Sequence, residues 1–159
     1  MSSEKDILRD GPLRYLGYAN ELGESFRPIF PAFVAPSYAV AFAYVAADTY
    51  DKATKASATA PPAAKSAHVA AAAVDTLLWQ TMASVVIPGF TINRVVAASK
   101  AVVTSSVKNP ALERWLPTCL GLGAIPLIIH PIDSLVDFGM DNTTRVWTRK
   151  VLSSESDAP

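Results

Sequence analysis

Three acids follow a histidine near the end of an apolar run, and residues of these types could bind a metal ion or move a proton. They are His130, Asp133, Asp137 and Asp141. A metal site would need ligands that converge from other segments, but the chain has one further histidine, His68, and no cysteine pair. Because the acids are four residues apart, we interpret them as the polar stripe of a helix that leaves an apolar environment, and the same spacing predicts a contact between Asp141 and Arg145.

The composition is that of one apolar domain with balanced charge. Half of the 159 residues are hydrophobic, and 18% are charged, below the roughly 25% usual in soluble domains. The 14 basic and 14 acidic residues cancel, which argues against nucleic acid as a partner. We find no glycine-rich phosphate loop, nucleophile elbow or HExxH helix, so we predict a protein that is not an enzyme and has no cofactor or metal.

Three uncharged runs are about long enough to cross a bilayer core of ~30 Å as helices. The uncharged runs are 28–47, 76–93 and 115–132, and we place the predicted spans at 28–47, 69–93 and 115–132. A soluble helix of this length normally carries a charged stripe, which these runs lack. The sequence therefore predicts an all-α, polytopic membrane protein forming a single domain over 1–159. The alternative, a soluble bundle of buried helices, would have to explain all three runs.

The segments between these spans are more polar. We predict an amphipathic helix at the membrane interface over 10–27, a flexible polar loop over 51–66, an interfacial segment over 94–114 and a polar helical tail over 133–150. If the region from Arg94 to Trp115 formed a fourth span, the two termini would lie on the same side of the membrane. With three spans they would lie on opposite sides.

Several side chains suggest contacts within the membrane. Small residues recur every four positions in the first span and predict a close helix-packing seam, within the molecule or between copies. These residues are Ala35, Ala39, Ala43 and Ala47. Ionisable groups in or beside spans are functional candidates by default. The candidates are His68, Asp75 and His130, for which a structural role as polar partners is our first interpretation.

Basic residues between the second and third spans could bind anionic lipid. They are Arg94, Lys100, Lys108 and Arg114. Each base close to an anionic surface contributes on the order of 1 kcal/mol of attraction. The alternative is that these bases are simply solvated or pair with Glu113 and Asp75.

Three motifs in order along the chain resemble the mitochondrial fission process protein family. They are RYLGYANELGESFRP, VDTLLWQTMASVVIPGFTINR and LPTCLGLGAIPLIIHPIDSLVDFGMD. The resemblance implies a multi-pass protein of the mitochondrial inner membrane that supports fission and organelle morphology, and it supplies no catalytic residues. In that membrane the expected anionic lipid is cardiolipin, and other membrane proteins or further copies of the chain are expected partners. An accessory subunit of a larger, for example respiratory, complex and a small solute or ion pathway through Asp75 and His130 remain alternatives.

Overall fold

The computed structural model describes residues 12–156, and every regular element in that range is helical. The six α-helices are α1 (Ala19–Phe26), α2 (Val34–Thr59), α3 (Lys65–Gln80), α4 (Ile87–Ser106), α5 (Pro110–Asp141) and α6 (Thr144–Ser156). Turns of 3-10 helix cover Pro12–Tyr18, Pro31–Phe33 and Pro62–Ala64, and a π-helical segment, Thr81–Val86, joins α3 to α4. The predicted all-α class is confirmed.

Three of these helical segments are long and apolar enough to cross a membrane. They are Pro31–Thr59, Pro62–Ser106 and Pro110–Asp141. Each begins at a proline, whose fixed φ angle and missing N–H group suit the first turn of a helix. Three helices long and apolar enough for the expected spans are therefore present, and each is longer than the charge-free run that predicted it.

The second of these segments contains a local change of helix geometry before Pro88. A proline ring clashes with the carbonyl one turn earlier in a regular α-helix. The π-helical turn over Thr81–Val86 widens the helix there, and Ile87 donates to the carbonyl of Met82, five residues back. The chain continues as α4, so the proline does not end the helix.

The segment expected as a flexible loop, 51–66, is helical over most of its length, because α2 continues to Thr59. Two ion pairs with i,i+4 spacing stabilise this extension, Lys52 with Asp48 and Lys55 with Asp51. The helix ends where Ala60 adopts an extended conformation before two prolines.

The segment expected at the interface, 94–114, forms the tip of a helical hairpin. α4 continues to Ser106, the chain turns over 107–109, and α5 begins at Pro110. Asn109 caps α5 by accepting a hydrogen bond from the backbone N–H of Ala111. Since α4 and α5 pack against each other along this hairpin, the region does not form a separate span.

The expected polar helix over 133–150 is broken in two, because α5 ends at Asp141 and α6 begins at Thr144. The side chain of Asn142 donates to the carbonyl of Phe138, and that of Thr143 donates to the carbonyl of Gly139. Side chains that bond nearby backbone carbonyls in this way compete with continuation of the helix.

The helices run alternately between two ends of the bundle. At the first, which we call the Arg145 end, Arg145 of α6 contacts Asp75 of α3. At the second, the Arg27 end, Glu24 of α1 accepts hydrogen bonds from Arg27 and from Asn93 of α4.

The described chain begins and ends at the Arg145 end. Arg14 lies 3.5 Å from Asp133 of α5, and α6 contacts α3 and the turn before it. The segment Pro12–Phe26 then leads towards the Arg27 end over about 26 Å, counting 3-10 and α-helical rises. A fourth segment thus accompanies the three long helices, but it is this N-terminal one and not the region from Arg94 to Trp115.

The surface of the bundle is apolar where a soluble protein would be polar. Leu127 and Phe138 of α5 are 74% and 69% exposed, while Glu21 and Asp48 are fully buried. In lipid there is no gain from hiding apolar side chains, whereas polar groups must find partners inside the protein. The distribution is that of a helical bundle surrounded by lipid.

Candidate functional site

The helix α1 lies among the long helices with its polar face turned inward. It contacts α2, α4 and α5, and Leu22 on its apolar side is exposed. The side chains of its inner face are polar and buried: Asn20, Glu21, Glu24 and Ser25. The amphipathic helix expected over 10–27 is thus present from residue 12, where the described part begins, but its polar face contacts protein.

Glycines allow α1 to approach its neighbours closely. A Cβ atom added to Gly23 would overlap the side chain of Ser37 in α2. One added to Gly121 of α5 would lie 2.9 Å from the Oγ atom of Ser25, and one added to Gly89 of α4 would also meet a side chain of α1. Close packing around α1 therefore requires glycine at these positions.

Among the described residues, the alanine stripe of α2 faces outward and forms no packing seam. Ala35, Ala39, Ala43 and Ala47 are all exposed. The buried positions of α2 are instead Val34, Ser37, Ala41, Tyr44, Val45 and Asp48. A seam between copies, or with another membrane helix, stays a prediction.

At the Arg27 end, a buried carboxylate connects three helices. The Oε2 and Oε1 atoms of Glu24 accept hydrogen bonds from the Nε and Nη2 atoms of Arg27 at 2.6 and 2.7 Å. Glu24 also accepts from the hydroxyl of Tyr38 in α2 at 3.1 Å and from the Nδ2 atom of Asn93 in α4 at 2.9 Å. Its charge is therefore compensated, as a buried charge requires.

The four bases that the sequence analysis identified as possible contacts for anionic lipid also lie at this end. Arg94, Lys100, Lys108 and Arg114 are exposed on the α4–α5 hairpin. Arg94 lies over the ring of Phe90, 5.5 Å from its centroid. Within residues 12–156 none of the four forms an ion pair; Asp75, one expected partner, lies at the opposite end and binds Arg145.

At the Arg145 end, one arginine contacts three acids on two helices. Its Nε atom lies 2.7 Å from Asp75, and its Nη1 atom lies 2.9 Å from Asp137 and 3.1 Å from Asp141. The hydrogen bond to Asp75, followed by those to Asp137 and Asp141, holds the pKa of Arg145 above its usual value. The expected contact between Asp141 and Arg145 is confirmed, and Trp79 donates to Asp137 at 3.0 Å.

A second polar cluster lies deeper at the same end. Asp48 accepts hydrogen bonds from the Nζ atom of Lys52 at 2.9 Å and from the Nε2 atom of Gln80 at 2.6 Å. Gln80 in turn accepts from the hydroxyl of Ser84 at 2.6 Å. Beside this cluster is a cavity of about 40 Å³, lined by Arg14, Tyr18, Tyr44, Trp79, Gln80 and Ser84.

The three ionisable candidates do not come together. His68 is half-buried, and one of its ring nitrogens lies 2.9 Å from the carbonyl of Ala64. Asp75 pairs with Arg145, while His130 is exposed on the outer face of α5.

The sequence interpretation missed the interior polar residues of α1. These residues recur at helical spacing, opposite the apolar set that includes Leu22, and they are Asn20, Glu21, Glu24 and Ser25. Such a stripe predicts an outward polar face only if the helix lies against water. Inside a membrane bundle the same stripe faces the protein, so the sequence shows the stripe but not the direction in which it points.

The comparisons with known proteins agree with the motifs. The family model described as Mitochondrial 18 KDa protein (MTP18) matches residues 3–140. The chain is 53% identical to Mitochondrial fission process protein 1 of Caenorhabditis elegans, over 96% of this chain and 95% of that protein. It is 53% identical to the protein of that name from Homo sapiens, over 90% and 88% of the two chains, and 47% identical to that from Danio rerio, over 91% and 89%. No solved structure matches.

Proposed function

The chain belongs to the Mitochondrial 18 KDa protein (MTP18) family, and we propose on that basis that it acts in mitochondrial fission. The main support is that the chain is 47–53% identical, over most of its length, to proteins named for the fission process. We further propose that it is a multi-pass protein of the inner membrane, that it supports the shape of that membrane and that it is not an enzyme. The assignment to the inner membrane rests on the family resemblance, and the three long apolar helices support a chain that crosses the membrane several times.

The two ends of the bundle suggest how such a protein could act on a membrane. At the Arg27 end, exposed bases without acidic partners in the described chain are free to contact anionic headgroups, cardiolipin among them. At the Arg145 end, the bases that contact α3 and α5 are already paired with acids. One end would thus bind lipid while the other holds the bundle together.

The proposal is tested with tagged full-length protein in cells that lack their own copy. Carbonate extraction should leave the protein in the membrane pellet, and re-expression should restore fission to an elongated mitochondrial network. Because the described chain starts and ends at the Arg145 end, tags at the two termini should show the same protease protection in mitoplasts. Release by carbonate, or an unchanged network, would contradict the proposal.

A subunit of a larger inner-membrane complex is the second candidate, and the exposed alanine stripe favours it. Lipid does not require small residues at regular spacing, whereas a closely packed partner helix does. Native gels distinguish the two, since an accessory subunit would migrate with a complex much larger than the chain itself. The ion pathway through Asp75 and His130 has no structural support, because the two side chains lie apart and Asp75 is paired.

A further inference from the structure

Glu21 is an acidic residue in the interior of the bundle, and its carboxyl group lacks the partners that buried acids normally have. It is fully buried, and neither of its carboxyl oxygens has a hydrogen-bonding partner among the described residues. The other buried acids differ, since Glu24 and Asp48 each contact a basic side chain. An ionised carboxylate without a partner is too costly in an apolar interior, so the interior favours the neutral acid.

Further oxygens without partners surround this part of α1. The Oδ1 atom of Asn20 and the hydroxyls of Ser25 and Thr118 are buried without a hydrogen-bonding partner in the described chain. Ser25 lies one turn after Glu21 on the same face of α1, and Thr118 lies one turn before Gly121, the residue that Ser25 approaches. Buried polar atoms of this kind are usually satisfied by water.

Few charges act on Glu21 from the neighbouring elements. Asp133 of α5 does so, and its negative charge further opposes ionisation of Glu21. Asp133 is itself 3.5 Å from Arg14, while Tyr18 precedes Glu21 by one turn. On the same helix Glu24 is compensated by Arg27. From α2, the titratable hydroxyl of Tyr38 donates to Glu24, and the ring of Tyr44 lies against Gly17.

A small cavity lies one helical turn from Glu21, whose own side chain does not line it. Tyr18 lines the cavity of about 40 Å³ at the Arg145 end, together with the polar side chains of Arg14, Gln80 and Ser84. One water needs roughly 10–15 Å³ of such space and two to four polar partners, so the cavity can hold water.

We propose that Glu21 is a buried proton-binding site that exchanges its proton with the Arg145 end through the water-sized cavity beside Tyr18. On release, the O–H bond of the Glu21 carboxylic acid breaks, the proton passes to water in the cavity, and the carboxylate is left inside the bundle. Loss of the proton therefore places an uncompensated charge between α1 and its neighbours and weakens the packing of α1. The ligand is the proton alone, and the site does not depend on the proposed role in fission.

The direction in which stability changes with pH follows from the number of protons that the folded and unfolded states bind. The unfolded chain loses the proton of Glu21 near pH 4.3, whereas the folded chain retains it to higher pH. In the interval between, the folded state binds one more proton than the unfolded state, so stability falls as pH rises. The unfolding temperature of the parent chain should decrease by about 3 °C per pH unit through this interval.

The test uses the full chain in lipid nanodiscs and two readouts. Infrared spectra at neutral pH should contain the carbonyl band of a buried carboxylic acid, which disappears as pH rises and is absent from Glu21→Gln. That variant is a neutral mimic of the protonated acid, so its unfolding temperature should lack the fall with pH. The absence of the carbonyl band from the parent chain would overturn the site, and that measurement needs no variant. An unfolding temperature that falls equally with pH in Glu21→Gln would overturn it as well.

The route is tested by transfer into D₂O, which shifts the carbonyl band as the proton exchanges. Ser84→Leu fills the cavity, so it should keep the carbonyl band but lose the rapid exchange of the Glu21 proton. Ser84→Ala leaves the space open, so its proton should exchange as fast as in the parent chain. Equal exchange rates in the two variants would overturn the cavity as the path.

Discussion

The two ends of the bundle begin alike and then differ. Each has a buried carboxylate that joins helices, Glu24 at the Arg27 end and Asp48 at the Arg145 end. Further out, Arg145 at its own end contacts three acids, whereas Lys100 and Lys108 at the other end have no acidic partner in the described chain. Similar residue types therefore differ in their contacts, since Arg145 is paired with acids whereas the bases of the α4–α5 hairpin have no acidic partner in the described chain.

The partners available at each end explain this difference. Asp137 and Asp141 lie near the end of α5, and Asp75 lies in α3, which begins at the Arg145 end, so one guanidinium reaches all three acids. Its planar fork suits several carboxylates at once. At the Arg27 end the α4–α5 hairpin is rich in bases, and its one acid, Glu113, forms no ion pair within residues 12–156.

The largest effect is expected where α1 connects the two ends. Gly23→Val places side-chain atoms in the space of Ser37, and overpacking of this severity should destabilise the protein by about 3 kcal/mol or prevent assembly. Thermal unfolding in detergent measures the change. Gly123→Ala is the matched control, because a Cβ atom there would meet nothing within 4 Å. Equal stability of the two variants would mean that α1 does not pack as described.

Removal of the Arg145 side chain should give the next largest effect. Arg145→Ala leaves three acids close together without their base, and we expect a loss of about 2 kcal/mol in unfolding free energy together with fraying of α6. Hydrogen exchange of α6 amides and thermal unfolding would report it. Arg149→Ala is the control, since Arg149 bonds the backbone carbonyl of Arg145 and no acid among the described residues. Similar losses in both variants would contradict a special role for Arg145.

Neutralisation of bases at the Arg27 end should leave stability almost unchanged and reduce lipid binding instead. The triple change Lys100→Gln, Lys108→Gln and Arg114→Gln should alter stability by less than about 0.5 kcal/mol, because surface side chains contribute little to folding. It should nevertheless reduce the cardiolipin retained through purification, since each base near an anionic surface contributes about 1 kcal/mol. Mass spectrometry of co-purified lipid measures the retention.

A matched triple change at the Arg145 end controls for net charge. Lys65, Arg149 and Lys150 are likewise exposed, and their replacement by glutamine removes the same number of charges. Lipid retention that falls equally in both triple variants would show that total charge, and not the Arg27 end, attracts the lipid. Unchanged retention in the first variant would remove lipid recognition altogether.

The sequence predicted the long helices better than it predicted their surroundings. Charge-free runs of about 20 residues predict long apolar helices directly, so the three long helices were predictable. The lengths of the helices were not, since 51–66 was expected to be a loop, whereas the i,i+4 pairs Asp48–Lys52 and Asp51–Lys55 stabilise the continuation of α2. The inward face of α1 could not be assigned from periodicity alone, because periodicity gives two faces without indicating which one meets the protein.

The contacts at the Arg145 end show the same limit. The pair Asp141–Arg145 is local and followed from i,i+4 spacing, even though the helix breaks between them. The contact of Arg145 with Asp75, 70 residues away, depends on how α3 and α6 meet, which no local pattern contains.

The smallest effect on the folded monomer is expected on the outer face of α2, between the two ends. Ala39 and Ala43 are exposed, so Ala39→Leu with Ala43→Leu should leave the unfolding temperature of the monomer nearly unchanged. If another helix packs on this face, the larger side chains would separate the two backbones and weaken association, as small residues allow close approach in membranes. Crosslinking in membranes and native gels would measure association, with Ala41→Leu as a contrasting variant, because Ala41 is fully buried and its replacement should destabilise the monomer itself. Loss of association without loss of monomer stability would assign the stripe to a partner helix, and unchanged association would leave α2 facing lipid along its whole outer side.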